Sequence, residues 1–189
     1  MPPKIAILGW GSLITRPRTL LATKFTLDGP YLPIQFSRIA KSGSVTLVKD
    51  LTNGIFVQTW SALSKAKTLE KALINLQERE LADPNEIGFI DLQTNTYRFL
   101  DQSQDYEPIL KHMLCWCREK RVDAVIWTDL PPNFEERAGR EWTLDNLLEY
   151  LSELKKSVKK KAQDYMVNIP TNVYEGLDTD KFIGVLEQD

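Results

Sequence analysis

The run Ile5-Ala6-Ile7-Leu8 empties directly into Gly9-Trp10-Gly11-Ser12-Leu13, and no other junction in the chain constrains its local structure as strongly. A short apolar run bounded by turn residues reads as a buried β-strand. Two glycines flanking an aromatic allow a tight turn and leave backbone N–H groups free, and Ser12 adds a hydroxyl. Such a turn suits capture of a carboxylate or carbonyl oxygen. The plainer alternative is a tight turn whose glycines only relieve strain and whose Trp10 belongs to the core. A dinucleotide fingerprint is excluded, because Gly9-x-Gly11 lacks the third glycine and no convincing helix follows at once.

At 189 residues the chain is long enough for one domain, spanning residues 1–189, with a substantial core. Its 24 basic and 26 acidic residues give a formal charge of −2. That provides no general basic field for nucleic acid, and an acidic substrate needs a local positive pocket. No run reaches transmembrane length, and Met1-Pro2-Pro3-Lys4 leads straight into the first strand, so no membrane partner and a cytoplasmic location are expected. Cys115 and Cys117 are the only cysteines and His112 the only histidine. Residues two apart on a helix do not share a face, so neither a zinc site nor any other metal site is expected. Both thiols are expected to be free and buried, and His112 to be structural. A Ser-His or Cys-His nucleophilic system would rest on that one imidazole.

Strands are expected over residues 4–9, 32–40, 44–48, 54–61, 87–91, 96–100 and 122–128, with a further one near 182–186. Helices are expected over 65–81 and 106–118, and a long one near 143–163 capped by Thr143, followed by an extended tail. Lysines 155, 156, 159, 160 and 161 fall late in that last helix, where positive charge suits the dipole, and read as a solvated helix end. The order of elements indicates α+β rather than regular βαβ alternation.

Within the 65–81 helix, Leu69, Leu73, Leu76 and Glu80 share one face at about 100° per residue, whereas Glu78 points to the opposite side. Glu80 either lies past the buried region, as Leu81-Ala82-Asp83-Pro84 suggests, or looks into a pocket. In a pocket, partial burial raises a carboxylate pKa from about 4.3 toward neutrality and makes it a competent general base.

Two short motifs carry a resemblance. Trp10-Gly11-Ser12-Leu13 after a strand resembles the aromatic-Gly-Ser loop of the gamma-glutamylcyclotransferase-like superfamily, which includes ChaC-like and AIG2-like proteins. Leu76-Gln77-Glu78-Arg79-Glu80 is similar to the family's leucine-to-Arg-Glu helical segment, and the matched acid is Glu80. The likeness extends over roughly residues 5–130. It implies an α+β fold in which a mixed sheet curls toward a small barrel with flanking helices. It also implies a lyase that releases 5-oxoproline from a gamma-glutamyl amine, amino acid or peptide without a cofactor. In that reading Glu80 is the catalytic acid/base and Gly9, Trp10, Gly11, Ser12 and Leu13 bind substrate. Trp10 stands where many members have Tyr and lacks its phenolic hydroxyl.

Further substrate contacts are read from residue type. Arg38, in a β-like apolar run, offers a planar fork for a carboxylate or lies on a solvated strand face. Arg16 and Arg18, just past the glycine turn, are alternatives. Asp129 either orients a substrate ammonium or caps the turn before Pro131 and Pro132. Tyr174 closes the pocket from the C-terminal side or pins the tail. The alternative functions are an enzyme acting on another amide or amine conjugate, and a non-catalytic small-molecule binding protein of the same fold.

Overall fold

A computed structural model describes residues 2–100 and 106–187. The chain forms β1 (Ile5–Gly9), α1 (Ser12–Thr15), β2 (Tyr31–Ile39), β3 (Val45–Lys49), β4 (Ile55–Gln58), β5 (Trp60–Leu63), α2 (Leu69–Glu80), β6 (Ile87–Asp91) and β7 (Thr96–Arg98). Then come α3 (Tyr106–Lys120), β8 (Ala124–Thr128), α4 (Phe134–Ala138), α5 (Leu144–Glu153), α6 (Lys156–Met166), α7 (Thr171–Gly176) and α8 (Asp180–Leu186). The fold is α+β.

One sheet has the order β5-β1-β8-β6-β7, the other β3-β2-β4. β1 and β8 lie side by side and parallel, and all other pairings are antiparallel. Both central strands are apolar at successive positions because both of their faces are buried. Ile5, Ile7, Ala124 and Ile126 point into a core shared with Ala72 and Leu76 of α2. Ala6, Leu8, Val125 and Trp127 point the other way, into a core shared with β2, β3, α3 and the C-terminal helices. The five-stranded sheet is therefore the middle layer.

The mixed sheet does not curl toward a barrel; both sheets are open. Closure of the larger one would need its edge strands β5 and β7 to pair. The outer edge of β5 is instead occupied by the segment after α1, through bridges Ala22–Ser64 and Thr26–Ser61. β7 is only three residues long and largely exposed, too short to draw the sheet round.

The strand expected over 54–61 is divided between the two sheets. β4 pairs with β2, and β5 with β1. The corner is Thr59, fully buried, whose N–H and Oγ1 both donate to Pro30 O, at 3.1 and 2.7 Å. Gly29 closes the corner: a Cβ there would lie 2.4 Å from Thr59 Oγ1 and 2.8 Å from Thr59 O, so only glycine fits.

The C-terminal third differs most from expectation. Thr143 caps α5 by accepting from Asn146 N–H at 3.1 Å. The helix stops at Glu153, because Leu154 and Lys155 take extended ψ values of 141° and 144°. Lys156 thus opens α6 rather than closing a long helix, and the dipole argument for the lysines does not apply there. The tail is not extended, and the strand near 182–186 is a helix, α8. Phe182 and Leu186, spaced four apart, both reach the core, a pattern that a short continuous apolar run does not distinguish from alternation.

A buried ion pair ties the two sheets together. Lys49 Nζ at the end of β3 lies 3.2 Å from Asp129 Oδ1, just past β8, with side chains 3% and 2% exposed. Asp129 Oδ2 also accepts from Leu100 N–H at 2.7 Å. Removing one partner of such a pair strands a buried charge. Lys49→Met is expected to lower unfolding free energy by about 3–5 kcal/mol, read from urea denaturation. A loss below about 1 kcal/mol would show that the sheets do not depend on this pair.

Candidate active site

The parallel pairing of β1 with β8 sends both chains out at the same end of the middle sheet, and there the turn after β1 opens a cleft of about 650 Å³. Gly9, Trp10, Gly11, Ser12 and Leu13 line it on one side. The end of α2 contributes Glu80, β2 and β3 contribute Arg38, Thr46 and Leu47, and α6 contributes Tyr165.

The turn is held by its carbonyls. Gly11 O accepts from Ile14 N–H at 3.1 Å and Ser12 O from Arg16 N–H at 2.9 Å. Among the described residues, no turn or loop backbone hydrogen bond uses the N–H of Gly11, Ser12 or Leu13 as donor. These amides border the cleft with hydrogen-bonding capacity to spare. Trp10 is 7% exposed and belongs to the core that backs the cleft, so its indole is chiefly a packing element.

α2 is capped by Thr68, which accepts from Lys71 N–H at 3.3 Å. Its most buried positions are Ala72, Leu76 and Arg79, spaced four and then three apart along one stripe. Arg79 is the residue that sequence reasoning missed, although its place in that register is the signal. Its side chain is 5% exposed. Nη2 donates to Ser12 O at 3.0 Å and to Arg16 O at 2.7 Å, and Nη1 donates to Glu80 Oε1. One guanidinium thus fixes the turn to the helix and orients the carboxylate beside it.

Glu80 is 17% exposed, whereas Glu78 faces solvent. Burial pushes the Glu80 carboxyl above its ordinary value, and this outweighs the Arg79 and Arg18 charges that pull it down. The carboxyl is thus anchored by Arg79 and shifted upward by burial.

Tyr165 was also missed, because only packing of α6 across the sheets brings it to the loop. Its hydroxyl accepts from Leu47 N–H at 3.2 Å, while its own hydrogen has no acceptor among the described residues. Burial, with some help from the Glu80 charge, pushes the phenol up to about 12, so it remains a donor at neutral pH. A Cβ on Gly11 would lie 2.7 Å from this hydroxyl, so a larger residue at position 11 requires the Tyr165 ring to shift.

Comparison with protein-family models, curated proteins and solved structures gives no match to this chain.

Of the remaining expected contacts, Arg38 lines the cleft but is partly engaged: Nη1 donates to Pro131 O at 2.7 Å, and Nη2 lies 4.0 Å from Glu86. Burial holds its guanidinium below the usual value. Asp129 is not at the cleft; it is the buried partner of Lys49. Tyr174 is not there either, because its hydroxyl donates to Asp180 at 2.5 Å and pins α7 to α8. His112 is exposed. Cys115 is exposed rather than buried, whereas Cys117 is buried and its thiol is pushed up to about 12 by burial. Among the described residues no acidic, Cys or His cluster could hold a metal, and no helix is long and apolar enough to cross a membrane.

The contact between Gly11 and Tyr165 yields a coupled prediction. Gly11→Ala is expected to cost about 1–3 kcal/mol, as overpacking does. Tyr165→Phe should relieve much of that cost, since the Gly11 Cβ position is 3.6 Å from Tyr165 Cζ, an ordinary contact. A double-mutant cycle by thermal denaturation checks this, and strictly additive effects would refute the contact.

Proposed function

We propose that this protein is a gamma-glutamylcyclotransferase-like enzyme that releases 5-oxoproline from a gamma-glutamyl conjugate. The observation that carries the reading is the sharing of one cleft by loop amides with no backbone acceptor among the described residues and a carboxylate raised by burial. The substrate's α-amine attacks its own γ-carbonyl, so nucleophile and electrophile are already joined. The protein then has to hold the folded conformer and move protons. Glu80 takes a proton from the attacking nitrogen and returns one to the departing nitrogen. The amides of Gly11, Ser12 and Leu13 receive the oxygen on which charge develops, a role worth about 2.7–4 kcal/mol for one such donor. Tyr165 is placed to add a further donor. No step calls for a metal or organic cofactor. The free thiols suit a reducing compartment, and we place the enzyme in the cytoplasm.

The test is 5-oxoproline release over a panel of gamma-glutamyl compounds. Glu80→Gln should cost about 10²–10⁴ in rate, and Glu78→Gln, on the exposed face, should cost little. Equal activity of E80Q and wild type would remove Glu80 from the mechanism. A wild type inert on the whole panel would leave the small-molecule binding reading in its place.

The pH dependence has a definite sign. Glu80 must be ionised to accept a proton, so kcat/KM falls as pH drops through its pKa. Because burial raises that pKa, the acid limb should lie above the ordinary glutamate range. A limb at or below that range would contradict the assignment.

A further inference from the structure

A second cavity, of about 660 Å³, opens between β2, the loop after β3 and the start of α4, and shares no lining residue with the active-site cleft. Four acids line it, Asp50, Glu135, Glu136 and Glu141, and among the described residues no lysine or arginine does. Glu135 and Glu136 are exposed and stand in the first turn of α4, where acids suit a helix end. They form the rim. The floor is different, because Asp50 and Ser37 are each 1% exposed and neither belongs to a helix.

The floor carries hydrogen-bonding capacity that the fold does not use. Asp50 Oδ1 accepts from Thr52 N–H and Asn53 N–H, both at 2.9 Å, whereas Oδ2 has only the Asn53 amide at 3.3 Å. A carboxylate offers about four acceptor sites, so Oδ2 is underused. Asp50 is in no ion pair among the described residues, unlike Asp129, whose buried charge meets Lys49. Ser37 Oγ is buried and has no hydrogen-bond partner among the described residues. Its place is set by a β-bulge, in which Phe36 and Ser37 stand opposite Leu47 alone, between the pairs Gln35–Val48 and Arg38–Thr46. Ser37 lines this cavity while its neighbour Arg38 lines the active-site cleft. A buried carboxylate without a cation and a buried hydroxyl without a partner are both costly, and a donor-rich cation relieves both.

The spacing selects the kind of cation. Asp50 N–H donates to Pro33 O, and Ser37 lies four residues further along β2. At about 3.3 Å per residue their backbones are on the order of 10 Å apart, too far for one ion to serve both. Among the described residues no acidic, Cys or His cluster could hold a metal. The walls between are aromatic: Phe134 is buried, and Trp142 is fixed by its Nε1 donating to Phe36 O at 3.0 Å. Such walls suit methylene chains and cations over ring faces. We propose that this cavity binds a linear aliphatic polyamine, with one ammonium on Asp50, another at Ser37 and the acidic rim, and its methylenes along Phe134 and Trp142. The site stands apart from Glu80 and does not depend on the cyclotransferase reading.

Calorimetric titration of spermidine into the intact chain tests this, beside butylamine, octanediol and Mg²⁺, with the backbone amide NMR signals of Ser37, Thr52 and Asn53 locating the site. Spermidine is expected to shift those signals and to bind about tenfold or more tighter than butylamine, and octanediol should not bind. Asp50→Asn keeps an acceptor for the loop amides and should weaken spermidine roughly tenfold or more. Ser37→Ala should weaken it roughly two- to tenfold without lowering Tm, because the hydroxyl has no partner to lose. Should Asp50→Asn fail to fold, Ser37→Ala decides alone. Absence of saturable spermidine binding, equal affinity for butylamine, displacement by Mg²⁺ at matched ionic strength, or unchanged affinity in the folded variants would each overturn the proposal.

Discussion

The Arg79 guanidinium is the interaction on which the candidate site depends. A buried cation is costly unless it is hydrogen-bonded, and here two backbone carbonyls and one carboxylate engage both terminal nitrogens, while Nε is buried without a partner among the described residues. The partners come from the turn after β1 and from α2 itself, so satisfying one charge fixes the relative position of two elements. Ser12, Arg16 and Glu80 are all placed by that requirement. A lysine with a single ammonium point would not span the same three acceptors.

The same pairing sets a balance of forces on Glu80. Burial against α2 and the turn disfavours the ionised carboxylate, whereas Arg79 and Arg18 favour it. Burial prevails, so the carboxyl is held above its ordinary value. An isolated buried acid would sit protonated, and a fully paired one would be too weak a base. Tyr165 adds a neutral phenol beside the turn, held by Leu47 N–H. The cleft therefore sets one carboxyl shifted by burial beside loop amides and a phenol.

Architecture supplies the convergence. The middle sheet is buried on both faces, which demands apolar side chains at Ile5–Leu8 of β1 and Ala124–Trp127 of β8 and leaves chemistry to the loops at their ends. The Thr59 corner carries one extended segment from the second sheet into the first, and the Lys49–Asp129 pair closes the gap between them. Arg38, Thr46 and Leu47 are thereby set opposite the turn after β1.

Local pattern was sufficient for much of this. The apolar run of β1, the glycine turn after it, the Thr143 cap, the α+β order and the greater exposure of Glu78 than Glu80 all follow from period and residue type over a few positions. Other features depend on partners distant in sequence. Asp129 reads like a site acid because it follows a strand, but Lys49, eighty positions earlier, claims it; Tyr174 is claimed by Asp180. The barrel expectation came from a resemblance, whereas whether a sheet closes depends on which edges meet, and here residues 22–26 occupy the edge of β5. Arg79 looks like an ordinary helix arginine until Ser12 and Arg16 stand within its reach, and Tyr165 has no role until α6 crosses to Gly11. The sequence by itself determined most of the strands, turns and helices up to β8, because hydrophobic period and capping act within a few residues, but not the split of α5 from α6 or the helical tail. Only the tertiary structure decided which charges are buried, what they pair with and where the cleft lies, because desolvation and ion pairing depend on neighbours brought together by folding.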